Sequence, residues 1–163
     1  MMPRAAPDFL GILRILDAHE VQSIVVGGVC ATLRGAPVAT FDLDVVHARD
    51  EENVDRLLGA LSDLDAYYRL RGTQIIWPQQ HQLLGVGHHL LMTNLGPLDL
   101  LGAIGCGHDF VSLLPHCTRI DVGGIEVNLL SLEMLIQTKR ETGRDRDRAV
   151  LPILERTLKE HRG

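Results

Sequence analysis

Aromatic side chains are scarce: one Trp, two Tyr and three Phe, 4% of 163 residues. A surface that stacks unpaired bases needs several such rings, so this mode of nucleic-acid binding is disfavoured. Cysteine is scarce too. Cys30, Cys106 and Cys117 form no Cys-x-x-Cys pair and leave one odd, which predicts a reducing, cytoplasmic setting without a disulfide framework. No apolar run reaches the ~18 residues of a spanning helix, so no membrane partner is expected. The stretch Met1–Asp8 lacks an apolar signal core, which argues against export. What remains is 45% hydrophobic and 23% charged, with a net charge of −5. That balance excludes a disordered chain and suits one domain with its own core.

The charge is unevenly spread. Residues 1–138 carry 8 Lys/Arg against 16 Asp/Glu, whereas residues 139–163 carry 8 against 5. The acidic body disfavours extended duplex DNA, while the basic tail leaves room for a brief grip on an RNA end.

Hydrophobic spacing predicts helices over 8–20, 29–34, 50–64, 131–141 and 146–161. Asp50-Glu51-Glu52 and Ser131 mark two helix starts, and Gly143 separates the last two helices. Strands are expected at 23–26, 41–47, 88–93, 98–101, 118–122 and 125–129. Gly96-Pro97 and Gly123-Gly124 supply turns between them. Residues 67–82 read as an irregular excursion with a minor strand near Ile75-Ile76. The expected fold class is α+β: a mixed, mostly antiparallel sheet flanked by helices. One domain is expected over 1–163, with a core at about 21–130 and a helical segment at 131–163.

Asp42-Leu43-Asp44 is the sharpest chemical feature. On a strand, residues i and i+2 share a face, so both carboxylates point one way while Leu43 points into the core. Such a pair repels unless a cation intervenes, and hard oxygen ligands suit Mg²⁺. A solvent-facing turn explains the motif equally well when it is taken alone. Asp99, however, lies in the apolar segment Pro97-Leu98-Asp99-Leu100-Leu101. A lone carboxylate there is costly unless paired, placed at a sheet edge or bound to metal. Beside Asp42 and Asp44 it would complete a cluster able to hold two ions. Gly27-Gly28 lies between a buried strand and a helix, where glycine permits close approach of a ligand and free N–H groups face an anion. A tight strand-to-helix turn accounts for the same pair. The order of these features sets an anion cradle and a metal site within one βαβ unit.

The stretch Val26-Gly27-Gly28-Val29-Cys30-Ala31 through Thr40-Phe41-Asp42-Leu43-Asp44, with Asp99 as a third carboxylate, resembles the polymerase-beta-like nucleotidyltransferase superfamily. The tail, Leu135-Ile136-Gln137-Thr138-Lys139 and then Gly143-Arg144-Asp145-Arg146-Asp147, is similar to a minimal branch that includes abortive-infection-type toxins. The resemblance spans residues 24 to about 150.

It implies a nucleotidyltransferase-like core that transfers NMP from a nucleoside triphosphate to a hydroxyl on an RNA end, a protein or a small molecule. Asp42, Asp44 and Asp99 would be catalytic and would hold two Mg²⁺ ions, and Asp99 would help deprotonate the acceptor. Gly27, Gly28, Thr40, Lys139, Arg144 and Asp147 would form the nucleotide-binding set. A partner within a toxin–antitoxin pair is a further implication. Fixed cations suit a polyanionic triphosphate. The tail cations would equally lace a solvated helix with pairs to Glu141, Asp145 and Asp147. Two departures bear on nucleotide affinity: Val38 stands where the family often has Arg, and Gly28 where it often has Ser. They keep open a catalytically idle member that binds nucleotide or a partner. A Mg²⁺-dependent phosphoesterase is a third reading.

Other residues rate as packing. His88 and His89 point to opposite faces and with His81 lack a fourth zinc ligand. His47 faces away from Asp44. Cys30 lacks a supporting base and reads as a small buried residue. Trp77, beside Pro78, suits either stacking on a base or plugging a loop.

Overall fold

The computed structural model describes residues 6–162. Met1–Ala5, part of the stretch read for an export signal, lie outside the described residues. Asp8 caps the first helix, α1 (Phe9–Ala18), by accepting the Gly11 N–H at 2.8 Å. Such a cap contributes about 1 kcal/mol. Ile12, Leu13 and Leu16 form its buried stripe. Strand β1 (Ser23–Val26) runs directly into α2 (Gly27–Leu33), and β2 (Leu43–His47) follows after a loop. Helix α3 (Glu51–Asp63) is capped by Asp50 and packs against α1.

The second half of the sheet begins with β3 (Tyr67–Tyr68), followed by the short helix α4 (Gln80–Leu83). Strands β4 (His88–Thr93) and β5 (Gly96–Leu101) form a hairpin. A short helix α5 (Phe110–Leu113) and a 3₁₀ turn lead to the hairpin of β6 (Cys117–Val122) and β7 (Ile125–Leu130). The chain closes with α6 (Leu132–Thr142) and α7 (Asp145–Arg162). Ser131 caps α6, and Gly143 ends it in the left-handed conformation, φ 60°.

Among the described residues the strands form one seven-stranded sheet in the order β3-β4-β5-β2-β1-β7-β6. The β1–β7 and β2–β5 ladders are parallel and the others antiparallel. The fold is therefore α+β with a mixed, mostly antiparallel sheet. Central strands are buried on both faces: Leu43, Val45, Val46, Leu98 and Leu100 are fully buried. Each such side chain contributes about 1.5–3 kcal/mol. No helix of the described residues is long and apolar enough to cross a membrane.

Several expectations need correction. β1 and β2 are antiparallel neighbours, so the α2 connection is not a parallel βαβ crossover. β2 starts at Leu43, which leaves Phe41 and Asp42 at its entrance. α2 starts at Gly27, so both glycines lie inside its first turn. Residues 75–76 form no strand. The Ile76 carbonyl accepts the Tyr68 N–H at 2.9 Å, while the edge strand is Tyr67–Tyr68 itself. Two residues are too few for alternation to register in sequence.

Candidate active site

A row of paired residues across four strands lays out the site. Val26, Asp44, Asp99 and Leu90 are successive Cα partners across β1, β2, β5 and β4. Paired residues share a sheet face, so the parallel β2–β5 register forces the Asp44 and Asp99 carboxylates together. Asp42 joins them from the entrance of β2. One oxygen from each of the three lies within 4.8 Å of the others.

The electrostatics follow from burial. The Asp44 carboxyl is pushed up to about 7, first by burial and then by Asp99 and Asp42, with Lys139 pulling the other way. Burial and Asp99 also raise Asp42, against the opposing charges of Arg69 and Arg146. Asp99 is 8% exposed, and its Oδ1 is buried without a hydrogen-bond partner. Three all-oxygen donors within 4.8 Å of one another, two of them held above their ordinary titration range, fit a hard divalent cation such as Mg²⁺.

One residue that the sequence did not single out shares this charge. Arg69, just after β3, places Nη1 2.6 Å from Asp99 Oδ1 and Nη2 3.6 Å from Asp42 Oδ2. Nη1 also donates to the Leu91 carbonyl at 2.8 Å, which fixes the guanidinium beside Asp99. Dications are thus not needed for the carboxylates to converge. An arginine 30 residues upstream of Asp99 carries no local pattern; only the β3–β4 pairing brings it over the site.

Glycine is required where the sheet meets α2. Gly27 has φ 67°, and a Cβ there would collide with the Asp44 carboxylate. A Cβ on Gly28 would lie 2.7 Å from Thr40 Oγ1, which itself donates to the Asp42 carbonyl at 3.0 Å. The start of α2, where no side chain caps the free N–H groups, opens on the same cavity as the carboxylates.

That cavity measures about 500 Å³. Asp42, Asp44, Asp99, Gly27, Gly28 and Thr40 line one side. Lys139 on α6, with Arg144, Arg146 and Asp147 around the start of α7, lines the other. Asp147 is 2% exposed and fastens this second side. It accepts from Lys139 Nζ at 3.4 Å, Arg144 Nε at 2.9 Å and Thr142 Oγ1 at 2.8 Å. Burial opposes its charge, but these partners outweigh it and hold the carboxyl below its ordinary value. Asp147 therefore positions Lys139 and Arg144. Val38 packs against the core, and the cations lining this cavity are Lys139 on α6, Arg144 in the link after it and Arg146 on α7.

Of the remaining candidates, His88 reaches the cavity wall and the others pack elsewhere. His47 is fully buried with Nε2 2.8 Å from the Leu83 carbonyl, and His89 is buried beside the Tyr68 hydroxyl at 2.8 Å. His88 is exposed and contacts the Ala103 carbonyl. Burial pushes the Cys30 thiol up to about 12, unsuited to a nucleophile. Trp77 stacks edge-on to Tyr67, away from the carboxylates.

No family model matches the chain, and no curated protein matches it. Solved structures do. The chain resembles TM1012, a candidate nucleotidyltransferase from Thermotoga maritima, at 21% identity over 93% of this chain and 90% of that one, with a TM-score of 0.59. It resembles the antibiotic-resistance factor ANT(2'')-Ia at 15% identity, over 90% and 80%, with a TM-score of 0.59. It also resembles the lincosamide antibiotic adenylyltransferase LnuA, solved with lincomycin bound, at 13% identity over 90% and 93%, with a TM-score of 0.57.

Proposed function

We propose that this chain, built on the nucleotidyltransferase fold, transfers a nucleoside monophosphate from a nucleoside triphosphate to the hydroxyl of a small molecule. The single observation that carries the reading is the convergence of Asp42, Asp44 and Asp99 beside an uncapped helix start and a lysine. Mg²⁺ held by the three carboxylates would neutralise the triphosphate and polarise its α-phosphate. The chain's own residues do the rest. The N–H groups at the start of α2 and the Lys139 ammonium bind phosphate oxygens, and Lys139 favours the departing pyrophosphate. Asp99 is the carboxylate assigned to take the acceptor's proton, which requires Arg69, 2.6 Å from its Oδ1, to release it. Asp147 keeps Lys139 and Arg144 in place. The protein thereby supplies position and charge rather than a covalent intermediate.

The cavity volume is that of a small-molecule site, and the acidic body of the chain does not favour nucleic acid. Two of the fold's neighbours are an antibiotic adenylyltransferase and an antibiotic-resistance factor, which makes hydroxylated antibiotics a natural first panel. The test is incubation with Mg²⁺, each labelled nucleotide and such a panel, alongside total RNA and lysate protein. Labelled small molecule with pyrophosphate release, lost in Asp44→Asn, supports the proposal. Labelled RNA or protein would overturn the acceptor class, and free phosphate without labelling would mark a phosphoesterase.

Arg69 favours a second reading. Its guanidinium already neutralises Asp99 and Asp42, as it would in an idle member that binds nucleotide or a partner, a toxin–antitoxin component for example. Tight nucleotide binding without pyrophosphate release would favour it.

A further inference from the structure

Cys106, His108 and Glu141 form a second convergent donor set, apart from the aspartates. Cys106 and His108 lie on the loop after β5, and Glu141 lies near the end of α6. Paired backbone bonds between Ile104 and His108, each 2.8 Å, close that loop. Gly105, at φ 60°, lets it approach the helix, for a Cβ there would collide with Glu141 Oε1.

The separations are informative. Cys106 Sγ lies 3.3 Å from Glu141 Oε2 and 3.7 Å from His108 Nε2. His108 Nε2 lies 2.9 Å and 3.1 Å from the two Glu141 oxygens. A tetrahedral zinc ion with Zn–S of ~2.3 Å and Zn–N and Zn–O of ~2.0 Å requires ligand–ligand edges of about 3.3–3.6 Å. Each separation is within about 0.4 Å of that requirement. The Glu141 carboxylate also has outer support: Gln137 Nε2 donates to Oε2 and the Cys106 N–H to Oε1, each at 3.4 Å.

We propose that Cys106, His108 and Glu141 bind one Zn²⁺ ion, with the fourth position open to water. Sulfur and imidazole select a borderline-soft ion over Mg²⁺, which separates this site from the all-oxygen aspartate cluster. The ion would tie the loop carrying Ile104 and Gly105, which line the 500 Å³ cavity, to the helix that carries Lys139. It would act as a clamp on one cavity wall.

The test is a Co²⁺ titration of the metal-stripped full chain under reducing conditions, followed by displacement with Zn²⁺. A thiolate-to-cobalt charge-transfer band at one equivalent, erased by one equivalent of Zn²⁺, is expected. Cys106→Ser should abolish the band, and the Asp42→Asn/Asp99→Asn double variant should keep it. Glu141→Gln retains the thiol and should weaken Zn²⁺ affinity by about a hundredfold, the upper end of what loss of an outer partner alone costs. A band that persists in Cys106→Ser, no band in the unaltered chain, or unchanged affinity in Glu141→Gln would each overturn the proposal. The Glu141→Gln result stands even where Cys106→Ser fails to fold.

Discussion

Asp44 and Asp99 stand opposite one another in the parallel β2–β5 ladder, and their carboxylates share one face of the sheet with Asp42 beside them. Two acids so placed favour a proton or a cation between them.

Stability without metal should depend on pH. The folded-state value of Asp44 is raised to about 7, whereas an unfolded aspartate titrates near ~4. Between those values the folded protein holds a proton that the unfolded chain has released. Stability therefore falls as pH rises through this window and levels off above about 7. Asp44→Asn should remove the decline and stabilise the metal-free protein at pH 8 by on the order of 1–3 kcal/mol. Urea melts at pH 5 and pH 8 check it; a variant that is less stable at pH 8 contradicts it.

Arg69 and the proposed Mg²⁺ would compete for the same carboxylates. Arg69→Met should destabilise the metal-free protein by about 3 kcal/mol, the cost of breaking a largely buried pair, and should strengthen Mg²⁺ binding. Thermal melts with and without Mg²⁺ read both effects. Equal destabilisation in the two conditions would assign Arg69 a purely structural role.

Lys139 is tied to Asp147 and is proposed to bind nucleotide, and one variant separates the two roles. Lys139→Met should weaken nucleotide binding by about tenfold or more, the worth of a charge-assisted hydrogen bond. Asp147 keeps Arg144 and Thr142, so the fold should lose only about 1 kcal/mol. Calorimetric titration and a denaturation curve on the same sample give the two numbers. Global unfolding of the variant would make this lysine structural.

Gly27→Ala tests the close packing of α2 on β2. The positive φ alone costs about 1–2 kcal/mol for a residue with a Cβ, and the collision with Asp44 adds to it. Chemical denaturation should show a loss of at least that size. An unchanged midpoint would show that the strand-to-helix turn is not held as described.

Much of this was legible in sequence because it rests on local patterns. A short β-rich apolar run placed Ser23–Val26, Gly123-Gly124 placed the hairpin expected over 118–122 and 125–129, and the short-range signals of Asp50, Ser131 and Gly143 marked helix ends. Asp99 stood out because an acid in an apolar run is expensive. What was not legible depends on which strands become neighbours. Arg69 reaches Asp99 across β4, and nothing within a short window around Tyr67–Tyr68 records that. The antiparallel β1–β2 pairing, likewise, belongs to the sheet order β5-β2-β1-β7, which no short window of sequence records. The Cys-x-His spacing at Cys106 is visible, but Glu141 lies 33 residues away and joins it only through the placement of α6.

The most direct test is calorimetric titration of Mg²⁺ with a non-hydrolysable nucleoside triphosphate analogue into the unaltered chain and into Asp42→Asn/Asp99→Asn. Saturable binding that requires both ligands, and that disappears in the folded double variant, is the predicted result. Equal binding by both proteins, or none by the unaltered chain, would contradict a metal–nucleotide site at these carboxylates.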